Sequence, residues 1–174
     1  MQKGIMRKRR GTPLSEYGRQ LQQKQDLRSQ YNLAENQLKN YVQETLGEAG
    51  KGDPQELFLQ KLEGRLDNVV FRAGFAPSRK QARQMVSHGH FLVNGRKVDV
   101  PSFQVKKGDV ISPRPSSRER TLFKNAQLSL KKYEAPSWLQ LDKEKLEIAV
   151  QQLPTLAEAA PSVEIPLIFE FYSR

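Results

Sequence analysis

The residues of this sequence that could do chemistry are mainly cationic, and their spacing suits binding to an anion. Arg79, Lys80 and Arg83 fall on one predicted helix with no acidic residue among them. Ser78 stands just before them, and together with Gln81 it forms the capping-box pattern that starts a helix. A basic face on a short helix indicates a polyanionic partner. The pattern therefore predicts a polyanion-binding helix.

The net charge supports the same chemistry, because it is large, positive and unevenly distributed. The 174 residues carry a net charge of +10 and have an isoelectric point near 9.9. Residues 1–28 contain eight basic and two acidic side chains, and residues 64–126 contain thirteen and four. Residues 29–63 and 127–174 are mildly acidic. Two separated basic blocks favour localised phosphate-binding surfaces over a general solubilising charge.

The composition argues against several other classes of protein. The sequence has no cysteine, which excludes disulfides and thiolate metal sites. It has no run of eighteen apolar residues and no apolar segment after the basic N-terminus, so we expect neither a membrane span nor a secretory signal. His88 and His90 have neither cysteine nor carboxylate beside them in the sequence. We therefore predict no metal site and no cofactor.

The first third of the chain predicts a basic arm followed by three helices. Residues 1–13 form the arm, which contains glycine, proline and no acid, and we expect it to gain order only on a phosphate backbone. Taken alone, such an arm would also fit a nuclear address. Ser15 can cap a helix that extends to about Tyr31. A second helix should cover residues 33–46, and Pro54 suits the first turn of a third.

The second basic block predicts a compact unit of two helices and a hairpin. An apolar stripe at helical spacing begins at Leu66, and Gly74 should end that helix. The helix that begins after Ser78 should end at Gly89. Residues 91–98 form a hairpin pattern around Asn94-Gly95, the sequence typical of a type I′ turn.

The last part of the chain predicts a return to the N-terminal helices. We expect a strand at residues 110–111, a basic loop at 113–120 and a helix at 121–131. A helix near residues 142–151 and a final strand at 165–172 should follow. The fold class is then α+β, with a mainly helical body domain formed by residues 14–63 plus 127–174. Residues 64–126 are an inserted small domain of two helices packed on a small, strongly bent antiparallel sheet.

Four segments carry a family resemblance. They are SEYGRQLQQKQDLRSQYNLAENQLKNY, the central LEGRLDNVVFRAGFAPSRKQARQMVSHGHFLVNGRKVDVPSFQVKKGDVIS, PSWLQLD and the terminal IFEFYSR. In this order they resemble bacterial-type ribosomal protein four of the small subunit, from about residue 14 to residue 174. Many members of that family have an additional N-terminal segment, sometimes with a cysteine cluster that holds zinc. This sequence begins about where that segment ends, so we expect a naturally short or a truncated start, without zinc.

The resemblance implies a structural, RNA-binding protein of the small ribosomal subunit and not an enzyme. It implies a primary binder of small-subunit ribosomal RNA that recognises a multi-helix junction and nucleates assembly of the subunit body. It also implies contacts with neighbouring small-subunit ribosomal proteins, a place near the path of incoming messenger RNA and a contribution to translational accuracy. We expect a cytoplasmic location in the ribosome, messenger RNA as a further partner, no membrane partner and no homo-oligomer.

Three groups of side chains are candidates for contact with that RNA. Binding should depend on phosphate contacts and shape, because the major groove of duplex RNA is too deep for side chains to read. Arginine suits this task because its fork matches a phosphate. The candidates are Arg7, Lys8, Arg9 and Arg10 in the arm, Arg19, Lys24 and Arg28 in the first helix, and Ser78, Arg79, Lys80, Arg83, Gln84, Ser87 and His88 on an outward face of the central unit.

Other interpretations start from the same residues. The tetrapeptide Gly64-Arg65-Leu66-Asp67 resembles the one that carries the catalytic aspartate of pseudouridine synthases, but the remaining chain lacks room for a catalytic domain. We therefore interpret Asp67 as structural, near a helix start. The central helix pair would also permit a helix-turn-helix DNA reader. A stand-alone RNA-binding quality-control protein would lack the flanking helices. Either Asp67 or Glu63 could pair with Arg72.

Overall fold

The computed structural model describes residues 11–174, which form nine helices and one five-stranded antiparallel sheet. The α+β class is thereby confirmed. In chain order the elements are α1 (Glu16–Gln30), α2 (Glu35–Gly47), α3 (Pro54–Glu63), α4 (Leu66–Arg72), α5 (Arg79–Ser87), β1 (Phe91–Val93), β2 (Arg96–Lys97), β3 (Val110–Pro113), α6 (Pro115–Arg118), α7 (Thr121–Leu130), β4 (Leu139–Asp142), β5 (Glu147–Val150), α8 (Leu156–Ala159) and α9 (Ile165–Tyr172).

The three N-terminal helices begin where local capping signals place them. Ser15 Oγ accepts a hydrogen bond from the Gly18 backbone N–H at 3.1 Å, which starts α1. Asp53 caps α3, and Pro54 occupies its first turn. The apolar sides of α1, α2 and α3 meet α8 and α9 in one hydrophobic cluster, which we call the helical cluster. Its members include Leu27, Leu38, Val42, Phe58, Leu62, Ile165 and Ile168.

The central unit and the sheet form a second cluster, which we call the sheet cluster. The strands lie in the order β2-β1-β3-β5-β4. Asn94 and Gly95 have φ angles of 50° and 79°, so the predicted type I′ hairpin is present between β1 and β2. Helices α4, α5 and α7 contribute the other apolar side chains. The buried members include Leu66, Val70, Ala82, Val86, Phe91, Ile111, Phe123, Trp138 and Ile148.

The predicted helix near residues 142–151 is wrong, because this segment forms half of a β-hairpin. Leu139 on β4 and Val150 on β5 face each other in the antiparallel register. Asp142 closes the turn, since its Oδ1 accepts hydrogen bonds at 3.0 Å from the backbone N–H groups of Glu144 and Lys145. Alternation of buried and partly buried side chains along β5, with pairing to β3, outweighs the helix-forming composition of the segment.

The predicted final strand is also wrong, because residues 165–172 form helix α9. Ile165, Ile168, Phe169 and Tyr172 pack on the helical cluster, and their spacing is that of one helix face. Pro166 lies in the first turn, where its missing N–H costs nothing. The β-branched and aromatic composition favoured a strand, but packing against α1 decides for the helix. The expected return to the N-terminal helices is nevertheless present.

Residues 127–150 pack with the sheet cluster, whereas the predicted boundary at residue 127 assigned them to the helical body domain. Leu130, Trp138 and Leu146 are buried in the sheet cluster, and the β4–β5 hairpin extends the sheet. Only the chain end, from α8 onward, packs on the helical cluster. This arrangement follows from strand pairing, because β3 would otherwise leave an unpaired edge. In the described residues, no helix is long and apolar enough to cross a membrane.

Candidate nucleic-acid interface

Helix α5 presents a polar surface to solvent. Ser78 Oγ accepts a hydrogen bond from the Gln81 backbone N–H at 3.1 Å, which fixes the first turn. Ala82, Met85 and Val86 are buried on the opposite side. The exposed candidate side chains, which we call the α5 face, are Ser78, Lys80, Gln84, Ser87 and His88. The helix start adds backbone N–H groups that favour an anion beside this face.

Arg79 does not belong to the α5 face, and the prediction that it points outward is wrong. Its guanidinium carbon lies 4.5 Å from the ring centroids of both Tyr31 and Phe71. Its Nε donates to Asn68 Oδ1 at 2.9 Å, and its Nη1 donates to the Gln30 carbonyl at 3.2 Å. The side chain therefore bridges the sheet cluster and the end of α1.

Arg83 makes a similar contact, one turn further along α5. Its Nη1 donates to the Asn32 carbonyl at 3.0 Å, and the side chain is only half-exposed. The spacing of four residues places Arg79 and Arg83 on the same flank of the helix. That flank faces the connection between α1 and α2, which helical periodicity within α5 could not reveal.

A buried carboxylate, Glu63, lies at the same junction. It accepts hydrogen bonds from Arg72 Nη2 at 2.7 Å, from Asn68 Nδ2 at 2.6 Å and from the Tyr31 hydroxyl. Burial raises the pKa of Glu63, but the hydrogen bond and the charge of Arg72 outweigh burial and hold this pKa below its ordinary value. Of the two partners considered for Arg72, Glu63 is the one found, and Asp67 is not.

The candidates on α1 divide in the same way. Arg19 is exposed, whereas Lys24 is only 6% exposed. Lys24 Nζ lies 3.1 Å from a Glu35 carboxylate oxygen and 4.5 Å from the Phe171 ring centroid. Arg28 is half-buried, with Nη1 3.7 Å from the same carboxylate. Lys24 is therefore an internal ion-pair partner, which argues against the phosphate contact expected from the sequence.

The arm candidates Arg7, Lys8, Arg9 and Arg10 lie outside the described residues. Their contact with RNA stays a prediction from the sequence.

The basic loop at residues 113–120 brings two further arginines, Arg114 and Arg120, close to His90 after the end of α5. The Arg114 backbone N–H donates to the His90 carbonyl at 2.7 Å, and the rings of His88 and His90 are 6.1 Å apart. Burial, together with the nearby charges of Arg120 and Arg114, lowers the pKa of His90. The sequence did contain a signal, namely three arginines within residues 113–120, but nothing local placed this loop beside α5.

Asp67 is held in the protein interior. Its carboxylate pairs with Arg65 through two contacts, Nε–Oδ1 at 3.0 Å and Nη2–Oδ2 at 2.9 Å. It also accepts a hydrogen bond from the Asn68 backbone N–H at 2.7 Å, and the residue is 2% exposed. This geometry supports the structural interpretation of the tetrapeptide. Within residues 11–174, no group of three or more histidine or carboxylate side chains is arranged to hold a metal ion.

Comparison with known proteins shows that two segments of the chain match known families. Residues 64–111 match the family described as S4 domain, and residues 1–63 match the family described as ribosomal protein S4/S9 N-terminal domain. The matched S4 domain contains α4, α5 and the β1–β2 hairpin, which are the elements that build the α5 face and the buried Arg65–Asp67 pair.

Full-length relatives extend the match over nearly the whole chain. The small ribosomal subunit protein uS4 of Persephonella marina is 48% identical over 165 residues, which is 94% of this chain and 80% of the relative. The protein of the same name from Corynebacterium kroppenstedtii is 48% identical over 92% of this chain and 79% of its own. That from Mesomycoplasma hyopneumoniae is 42% identical over 98% and 82%. At this identity and coverage, the chain belongs to the small ribosomal subunit protein uS4 family.

Proposed function

We propose that this chain is a structural component of the small ribosomal subunit that binds ribosomal RNA as a primary binder. It recognises a multi-helix junction and nucleates assembly of the subunit body. The observation that carries the proposal is the α5 face, a polar surface with the exposed cation Lys80, inside the segment that matches the S4 domain. Lys80 forms no ion pair with any residue between 11 and 174, so its charge is available to a phosphate.

The contact chemistry follows from which cations the fold leaves available. Lys80 can bind a phosphate, and Ser78, Gln84, Ser87 and His88 supply neutral hydrogen-bonding groups around it. Arg19 offers a second exposed cation on α1. Contacts on separate elements suit a junction, which holds several RNA backbones at fixed angles. Arg79, Arg83 and Lys24 support the geometry of the protein and do not carry the RNA contact.

The remaining parts of the proposal concern the surroundings of the protein. The basic arm, with Arg7 to Arg10, is a further contact with the RNA phosphates. The protein contributes to the region where messenger RNA approaches the ribosome and thereby to translational accuracy. Neighbouring small-subunit ribosomal proteins are further partners. The protein acts as a single copy in the cytoplasmic ribosome, without catalysis and without a metal. What supports these statements is the family to which the chain belongs.

Binding to three nucleic acids across a salt series tests the proposal. The probes are the 5′ portion of small-subunit ribosomal RNA, an unrelated RNA of equal length and duplex DNA. We expect the ribosomal RNA to bind most tightly and to retain that preference at moderate salt, because shape adds to phosphate contact. Equal, steeply salt-dependent binding to all three would contradict the proposal, and preference for DNA would favour the helix-turn-helix alternative.

Two matched lysine variants locate the contact. Lys80→Ala should weaken binding to both RNAs and reduce the slope of log K against log salt by about one. Lys39→Ala removes another exposed lysine, on α2, and should leave the slope unchanged. A Lys80→Ala protein with the wild-type slope would remove the α5 face from the interface.

A further inference from the structure

An apolar groove beside α5 has no role in the contacts described so far. It lies between the turn that joins α4 to α5 and the outer side of α7, and its volume is about 480 Å³. Phe71, Phe75, Leu122 and Tyr133 provide its apolar walls. A volume of this size falls in the range of small-molecule pockets and accommodates one planar ring system.

The walls of this groove are fixed by packing. Phe75 is 3% exposed and packs edge-to-face on Phe91, with ring centroids 5.9 Å apart. Tyr133 donates its hydroxyl hydrogen to the Arg72 carbonyl at 2.7 Å. Gly74, at φ 87°, lets the Tyr133 ring approach so closely that an added Cβ would lie 2.6 Å from Tyr133 Cδ1. The groove is therefore preformed, which reduces the entropy lost when a ligand binds.

Two side-chain amides stand at the sides of the groove, Gln81 on α5 and Asn125 on α7. Neither amide group forms a hydrogen bond to another residue within residues 11–174. Each can donate and accept. No charged side chain lines the groove in that part of the chain. Apolar walls with a few amide groups suit a flat ligand that has an aromatic face and a polar edge.

The surrounding charge selects the class of ligand. The segment that forms most of the groove, residues 64–126, contains thirteen basic and four acidic side chains. Lys80 precedes Gln81, Lys124 precedes Asn125, and both lysines are exposed. Lys124 lies 4.0 Å from Glu119 in an exposed ion pair, which a phosphate can replace, whereas Lys80 has no ion pair within residues 11–174. A base carried on a phosphate backbone satisfies both features, whereas an apolar protein side chain would leave the two amides and the charge of Lys80 without partners.

We propose that this groove binds one unpaired base of the RNA, extruded from its helix. The base stacks against the aromatic walls, and Gln81 and Asn125 bond to its edge. Lys80 and Lys124 contact the flanking phosphates. The inference rests on the proposed function, because the RNA reaches the groove from the adjoining α5 face. It adds the readout of a base edge to a surface that otherwise contacts only phosphate.

Chemical footprinting of the complex with the 5′ portion of small-subunit ribosomal RNA tests the groove directly. Dimethyl sulfate and a carbodiimide report the Watson–Crick edges of bases, and hydroxyl radicals report the sugar–phosphate backbone. We expect one or two bases to be protected by the wild-type protein and to become reactive with Gln81→Ala/Asn125→Ala. Backbone protections should persist. Affinity should fall about tenfold, for two lost hydrogen bonds of ordinary strength.

Gln127→Ala is the matched control, because Gln127 is exposed on α7 but does not line the groove. It should retain the wild-type footprint and affinity. An unchanged base footprint with affinity within about twofold of wild type in the double variant would overturn the proposal. If only the groove proposal fails, the wild-type protein still prefers ribosomal RNA over the unrelated RNA. If that preference is itself absent, both proposals fail together.

A photoreactive benzoylphenylalanine at Ser129, which lines the groove, distinguishes the two kinds of occupant in assembled small subunits. A cross-link to an RNA base supports the proposal. Cross-linking only to another protein would overturn it and make the groove a protein-binding site.

Discussion

Arg79→Ala should destabilise the fold, although a basic side chain on a short helix would ordinarily be replaceable. Arg79 holds α5 to the end of α1 through the Gln30 carbonyl and Tyr31, and to α4 through Asn68 and Phe71. It therefore stabilises the junction of the helical cluster and the sheet cluster. A variant that lacks it loses a connection between the two hydrophobic clusters.

The magnitude can be estimated from these contacts. Two hydrogen bonds from a charged donor contribute about 1.5 kcal/mol each, and two cation–π contacts contribute about 0.5–1 kcal/mol each. Truncation regains about 2 kcal/mol of side-chain entropy. The buried Nη2 has no hydrogen-bond partner within residues 11–174, which further reduces the net stabilisation by the Arg79 side chain. We expect the free energy of unfolding to fall by about 2 kcal/mol. The free energy of unfolding should fall nearly as far in Arg79→Lys, because an ammonium group cannot reproduce the planar, forked contacts of the guanidinium between Tyr31 and Phe71.

Urea unfolding measures this loss, with circular dichroism for the helices and Trp138 fluorescence for the sheet cluster. Trp138 is the only tryptophan and is 1% exposed, so its emission reports local packing. Lys80→Ala, at the next position on the same helix, is the control and should change the unfolding free energy by less than about 0.5 kcal/mol. Equal stability of the Arg79→Ala and wild-type proteins, or equal losses in both variants, would refute the structural role.

Two further predictions concern buried ionisable groups. Asp67→Asn leaves the buried Arg65 guanidinium without its counter-charge and should lower the unfolding free energy by about 3–5 kcal/mol in the same urea assay. Asp99→Asn is the control, because Asp99 is exposed, and it should change the unfolding free energy little. Comparable losses in the two variants would contradict the structural role of the Arg65–Asp67 pair. His90 is buried with its Nδ1 2.8 Å from Ser117 Oγ, and burial lowers its pKa, so the folded state binds its proton less readily than the unfolded state. The contribution of His90 to the free energy of unfolding is therefore fully present above about pH 6.5, the pKa of histidine in the unfolded chain. It declines as the pH falls below that value. The decline should be weaker in His90→Gln, and identical pH profiles of unfolding would exclude the effect.

Local signals in the sequence specified much of the framework. Ser15 and Ser78 cap helices, and Asn94-Gly95 forms the type I′ turn, because each acts through backbone geometry within a few residues. The separated basic blocks were also readable, since charge needs no fold to be counted. These features were enough to place helix α5 and the hairpin that follows it, whereas the family resemblance came from the four sequence segments themselves.

Tertiary structure decided whether residues 165–172 form a strand or a helix, and which basic side chains are internal and which are exposed. Residues 165–172 fit both a strand by composition and a helix by spacing, and only packing on α1 separates the two. Arg79 and Lys24 look equivalent to Lys80 and Arg19 in the sequence. Their partners are Gln30, Asn68 and Glu35, and for Arg79 these lie up to 49 positions away. A charge is internal or available according to what packs opposite it, and that depends on contacts between distant segments.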